Sequence, residues 1–322
     1  MRRKWLFIWL ASALLTAALA RILPEFALLL KARVTRPLTR LIGALSALLP
    51  FPAAGLFAAL TLLLPGAALL SFRYRPVARL LAVLLCACLT GYILLWDVLY
   101  ACPALPSQAL SEPSLSILCE RLITQAEESL PESLAADRDA LPDAALGLMR
   151  ACTEQSLQTA RWTHFPALFS RLGIAGLYFP LTGEALVNGD DLPDTLPYTI
   201  CHELAHQAGW AREDEANYAA FLACESCDAP AFRYSAHFTM LLYAMKTLRR
   251  VDEYRWQKCV NRMNPALLSR FAAANGLNAT PSTGLRAIQE TLTDAFLRVS
   301  GDPGGIDSYE RVIQLIAAHW QV

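Results

Sequence analysis

His202 and His206 lie four residues apart in CHELAHQAGWARED, and Glu203 directly follows the first of them. On a helix that spacing puts both imidazoles on one face, where they can share one metal ion. A carboxylate beside the first histidine is placed to take a proton from water. The chemistry implied is metal-assisted hydrolysis. A catalytic zinc site also needs a third protein ligand and an open position for water. Gly209 is suited to end the helix in a left-handed cap, and a second helix begins near Arg212. Glu213 and Glu215 both stand at its start, and either carboxylate could complete the set.

The flanking segments must position these groups. Residues 174–197 contain glycines, prolines and a short apolar run, which predicts one or two short strands. TGEALVN (182–188) could be an edge strand that pairs with an extended substrate. FRYSAH (232–237) follows the second helix, and its Arg233, Tyr234 and His237 are candidates to steady an oxyanion. Tyr234 and His237 are carried forward with Glu203 as catalytic candidates. Helical patterns run from about Leu115 to Ser129, Asp143 to Thr159, Tyr198 to Ala208, Glu213 to Cys227 and Ser235 to Arg250. The tail segments LRAIQETLTDAFLRVSG and SYERVIQLIAAHW predict two more. His164 and His319 bear no spacing relation to the motif and read as structural.

The chain is 322 residues long, 55% hydrophobic and only 17% charged, against about 25% charged in ordinary soluble domains. The excess is concentrated before residue 101. Trp5 to Ala20 is uncharged and predicts a first span. Leu41 to Phe72 is uncharged for 32 residues, longer than the roughly 20 a crossing needs. Prolines at 50, 52 and 65 break it, which places a second span after Pro52. Leu80 to Leu95, extended towards Tyr100, is the third, flanked by Trp96 and Tyr100 as aromatics that suit a membrane interface. The connector EFALLLKARVTRPLTRLIG predicts an amphipathic surface helix. ACPALPSQALSEPS (101–114) reads as a linker. No Lys or Arg occurs between Arg79 and Arg121, which favours an extracytoplasmic location for the C-terminal domain.

Formal net charge is zero, with no basic patch to suit nucleic acid. Nine cysteines at irregular spacing make no disulfide framework. Cys224 and Cys227 form a lone CxxC, read as plain thiols.

Glu213-x-x-Ala216-Asn217-x-x-Ala220 resembles the E-x-x-A-[DN]-x-x-A helix of the gluzincins. That resemblance implies Glu213 as the third zinc ligand, with Asn217 supporting a ligand histidine. TGEALVN, LPYTICHELAHQAGWAREDEANYAAFLAC, FRYSAHFTMLLYAM and LRVSGDPGGIDSYERVIQLI together resemble an uncharacterised family of bacterial membrane proteins, a domain of unknown function. Three N-terminal spans and a C-terminal HExxH domain are what this second resemblance implies.

The expected fold is mainly α. Residues 1–100 form a three-helix transmembrane region, and residues 101–322 an α-rich α+β zincin-like, gluzincin-type domain with a small sheet. The expected function is a membrane-anchored zinc-dependent metallopeptidase in the bacterial cell membrane. Zn2+ would be held by His202, His206 and Glu213, with Glu203 as general base and a protein or peptide as substrate. The alternative is a non-catalytic, zinc-stabilised envelope sensor or assembly protein. About a hundred residues separate the motif from the last span, which predicts a site well outside the membrane.

Overall fold

The computed structural model describes residues 3–71, 74–130, 138–278, 284–302, 304–305 and 311–322. It is mainly helical, with one small sheet. Helix α1 spans Arg3–Ile22. Helix α2 (Pro24–Leu30), a π-helical turn (Lys31–Thr35) and α3 (Arg36–Ala47) then form one long connector. α4 covers Ala53–Leu62 and α5 Leu64–Ser71. α6 (Arg75–Tyr92) runs through a second π-helical turn (Ile93–Asp97) into α7 (Val98–Tyr100).

Two helices are long and apolar enough to cross a membrane, Lys4–Ile22 and Arg75–Tyr100. They match the first and third expected spans. The second differs. Instead of one helix, the segment after Pro52 forms α4 and α5, interrupted at Leu63. Pro65 explains the break, since proline offers no N–H to the turn before it and its ring opposes the preceding carbonyl.

The remainder begins with α8 (Glu112–Glu128), whose N-terminus is capped by Ser111 Oγ accepting from Ser114 N–H. α9 covers Leu141–Thr153. It stops six residues before the predicted end, because Glu154 turns left-handed at φ 54° and Arg150 folds back onto the Leu157 carbonyl. β1 (Arg161–Trp162), α10 (Pro166–Leu172), β2 (Gly176–Phe179) and β3 (Glu184–Val187) follow. The three strands form one sheet in the order β1-β3-β2, with β1 parallel and β2 antiparallel to β3. Next come α11 (Leu196–Gln207), α12 (Glu213–Glu225), α13 (Pro230–Val251), α14 (Glu253–Arg262), α15 (Pro265–Asn278), α16 (Gly284–Ser300) and α17 (Val312–Trp320). β1, α10, α14 and α15 were not foreseen from the sequence. Residues 308–310 of the last predicted helix lie outside the described residues.

Every residue of α11 is buried. It sits between the sheet and helices α9, α12 and α13, at the centre of the largest apolar cluster. All nine cysteines are free.

The connector is bound to this core. Ser46 donates to the Thr182 carbonyl at 2.8 Å. Arg161 donates to the carbonyls of Ala47, Leu49 and Phe51, at and just beyond the end of α3, at 2.9–3.1 Å. The Glu184 carboxylate receives the N–H groups of Ala53 and Ala54 at 2.9 and 2.8 Å, a carboxylate at a helix N-terminus, where the dipole favours it. Gly183 is left-handed at φ 67°, and a Cβ there would come within 2.9 Å of the Gly43 backbone. The boundary drawn at residue 100 therefore falls inside a continuous packed structure.

Candidate metal centre

α11 ends where Gly209, at φ 94°, reverses the chain. The Trp210 N–H returns to the Ala205 carbonyl at 3.2 Å, and α12 starts three residues later. Glu213, its first residue, thus faces the last turns of α11. Its Oε2 lies 3.4 Å from His202 Nε2 and 3.4 Å from His206 Nε2. One donor atom from each of the three residues falls within 4.8 Å of the others. Zinc bonds of about 2.0–2.1 Å to N and O place tetrahedral ligand atoms about 3.3–3.4 Å apart, so the spacing suits such an ion. His206 Nδ1 is 2.6 Å from the Trp210 carbonyl. That contact fixes Nδ1 as the protonated nitrogen and leaves the Nε2 lone pair facing the cluster. Glu213 Oε2 is buried without a hydrogen-bond partner, and a cation would satisfy it.

The charges agree with the geometry. Burial alone would lower His206, but the Glu213 carboxylate reverses this and holds the imidazole up at about 9. Burial would raise Glu213, but His206 and His202 hold it well below the usual carboxylate range. The pocket favours a positive charge between these side chains.

Glu203 is 4% exposed. Burial raises its carboxyl above the ordinary range, although the neighbouring histidines and the Tyr178 N–H pull the other way. It lies directly under β2. A Cβ on Gly176 would come within 2.5 Å of Glu203 Oε1, so only glycine leaves the carboxylate its place. Sequence reading missed Gly176, because a lone glycine in a predicted strand carries no signal of what approaches it.

Several expected residues lie elsewhere. Glu215 turns away from the histidines and accepts the Leu105 N–H at 2.8 Å. Asn217 accepts the Tyr198 hydroxyl at 2.8 Å rather than supporting a ligand histidine. Tyr234 is fully buried and donates to Asp194 at 2.7 Å, and Arg270 pairs with the same carboxylate at 3.1 Å. His237 faces Glu225 at 4.0 Å. Glu225 stands twelve residues from Glu213, about 18 Å along α12. Tyr234 and His237 are therefore core residues of α13, and the oxyanion role expected of them is corrected. Arg233 lies near Cys227. His319 pairs with the same Glu225 at 3.6 Å. TGEALVN is also corrected. β3 is the central strand, paired on both sides, so its edge is not open to a substrate. The outer strand beside the cluster is β2. There Ala175 is bonded to Asn188, so Gly176 and Tyr178 direct their backbone groups away from β3.

The end of the 75–100 helix completes the site. The Trp96 ring packs on His206 at 5.4 Å and on Tyr178 at 5.5 Å. Tyr100 stacks beside Arg212, and its hydroxyl is buried without a partner. Lys31 from the connector lies over Trp210 at 5.0 Å. Trp96 and Tyr100, expected to face a membrane interface, are 6% and 4% exposed and pack beside the His202–His206–Glu213 cluster. The hundred residues between span and motif are a separation in sequence only.

The model of a family described as "Protein of unknown function (DUF3810)" matches residues 32–317, and the chain belongs to that family. No curated protein and no solved structure matches it.

Proposed function

We propose that the chain is a membrane-anchored, zinc-dependent hydrolase that cleaves peptide bonds. The observation that carries this reading is the Glu213 oxygen held at equal distance from two histidine nitrogens, with Glu203 buried beside them under Gly176. His202, His206 and Glu213 would hold the metal. When bound, zinc lowers the pKa of its water and polarises a carbonyl. Glu203 accepts the water's proton and passes it to the leaving amine, and its raised affinity for a proton suits both steps. The outer edge of β2 is where an extended substrate would pair. The Tyr100 hydroxyl is the candidate to steady the oxyanion.

Residues 1–100 would cross the membrane three times. Glu184 ties the start of α4 to the domain side. The Arg75–Tyr100 helix, 26 residues long, starts about 39 Å from its domain-side end. Residues 53–71, about 28 Å long as helix, would cover most of that distance, with α4 and α5 forming one kinked crossing. The domain would face away from the cytoplasm of a bacterial cell.

The enclosure of His202, Glu203 and Glu213, each under 10% exposed, favours a second reading. In it the metal is structural and the protein serves as a sensor or assembly factor. Glu203→Gln in the purified full chain separates the two. Under the hydrolase reading, zinc content by metal analysis stays at one per chain. Cleavage of a broad peptide library falls by at least the ~10²–10⁴-fold that positioned proton transfer contributes. No cleavage by the unsubstituted chain, together with full complementation of a deletion strain by the variant, would favour the structural metal.

A further inference from the structure

α16 carries three unlike faces. Leu297 and Ser300 are buried. Leu297 packs into the cluster of Trp96, Leu99, Tyr100, Tyr178 and Ala211 that walls the metal site. A second face is polar, where Arg298 pairs with Asp294 at 2.8 Å. The third is a ridge of Leu285, Ile288, Leu292, Phe296 and Val299, at successive spacings of three and four residues. All five are exposed, Leu292 at 65% and Val299 at 82%. Single exposed apolar side chains are ordinary, but five on one helix face are not.

The ridge continues an apolar surface on the 75–100 helix. There Leu85, Leu89 and Tyr92 stand at i, i+4 and i+7 on one face, with Leu85 and Leu89 exposed. Tyr92 closes that stripe against Phe296, ring centroids 6.2 Å apart and edge to face. The Tyr92 hydroxyl is also 3.1 Å from Ser300 Oγ. Tyr92 lies five residues before Asp97, about 7.5 Å along the helix. Asp97 is held by Arg21 in a two-pronged ion pair at 2.6 and 2.8 Å. That charged pair marks the polar end of both long helices, and α16 joins just below it. This is the depth at which interfacial helices rest.

We propose that α16 lies in the bilayer surface with its ridge among the acyl chains, and so seats the His202–His206–Glu213 cluster at the membrane boundary. Resting on the membrane and hydrolase readings above, this names the substrate class. It is a peptide segment close to its own membrane anchor, presented along the bilayer surface rather than from free solution.

The test uses the full chain in phosphatidylcholine vesicles doped with a lipid whose acyl chain bears a photoactivated diazirine near the headgroup. Labelled peptides are mapped by mass spectrometry. Label is expected on the Lys4–Ile22 and Arg75–Tyr100 helices and on the α16 ridge, with Thr291, Asp294 and Arg298 at background. A Leu292→Asp/Val299→Asp variant should lose the α16 label and keep that of the spans. Labelled spans with an unlabelled ridge would overturn the proposal, and would indicate a second copy or another partner on that face. Unlabelled spans would remove the membrane reading itself. In the same vesicles, library peptides anchored through an acyl chain should be cleaved faster than their free counterparts, and the double variant should lose the difference. Equal cleavage would overturn the substrate assignment. No cleavage of either set would count against the hydrolase and the substrate class together.

Discussion

Glu213 and Glu215 stand two residues apart on α12, and that offset directs them to different partners. Glu213 meets both histidines, while Glu215 holds the linker at Leu105. Glu213→Ala should therefore strip zinc from the purified chain, while Glu215→Ala should leave most of it, as read by metal analysis after dialysis. The reverse result would make Glu215 the ligand. Residue types and spacing placed His202, Glu203 and His206 together, because i, i+4 on a helix is a local relation. Tyr234 and His237 misled for the opposite reason. Their proximity to the motif in sequence says nothing of which face of α13 they occupy, and that face is the core. Gly176 shows a different limit, since its role depends on a carboxylate from another element. Gly176→Ala should push Glu203 out of place at a cost of about 1–3 kcal/mol, as overpacking does. Hydrolysis should fall while zinc stays bound. Loss of zinc with hydrolysis would show that the cradle holds the ligands rather than the base.

At the scale of elements, the helices around the motif were legible because their apolar periodicity is sustained over many residues. β1 was not, because two residues carry no period. The role of TGEALVN was hidden for a related reason. Thr182, Gly183 and Glu184 face the connector, which lies some 130 residues earlier, and no local pattern announces such a partner. The 75–100 helix was legible as an apolar run, but not as a wall of the site. Its π-helical turn Ile93–Asp97 faces the first such turn, Lys31–Thr35, where Thr35 donates to the Leu94 carbonyl at 2.6 Å. Single π-helical turns are frequent at functional sites, and this one carries Trp96 onto His206. Trp96→Ala removes a buried aromatic and should cost about 3–5 kcal/mol. It should also weaken zinc retention against a chelator, since the His206 ring loses its wall. Unchanged retention together with lowered thermal stability would reduce Trp96 to packing alone.

On the scale of the whole molecule, the Arg21–Asp97 pair sets the direction of the two long helices. It joins the end of α1 to the end of the 75–100 helix, so both run the same way and both finish on the side of the His202–His206–Glu213 cluster. Lys4, Arg75 and Arg79 then gather at the opposite end, while Arg21, Lys31, Arg33, Arg36 and Arg40 stand on the cluster's side, Arg21 paired with Asp97 and Lys31 engaged with Trp210. The same layout makes residues 1–100 part of the site. A chain beginning at Ala101 would lack Trp96, Leu99 and Tyr100, whose apolar faces close over Tyr178, Ala211 and Leu297. It would also lack the groups that Arg161 and Glu184 bind. Buried charges left without partners are costly. The isolated 101–322 segment is thus expected to melt well below the full chain and to hold zinc weakly, as read by thermal unfolding and metal content on samples prepared in the same detergent. Adding residues 1–100 back as a separate chain should restore part of both. A truncated segment with the stability and zinc content of the full protein would show that the span end only rests against the site, and that the metal cluster is built without it.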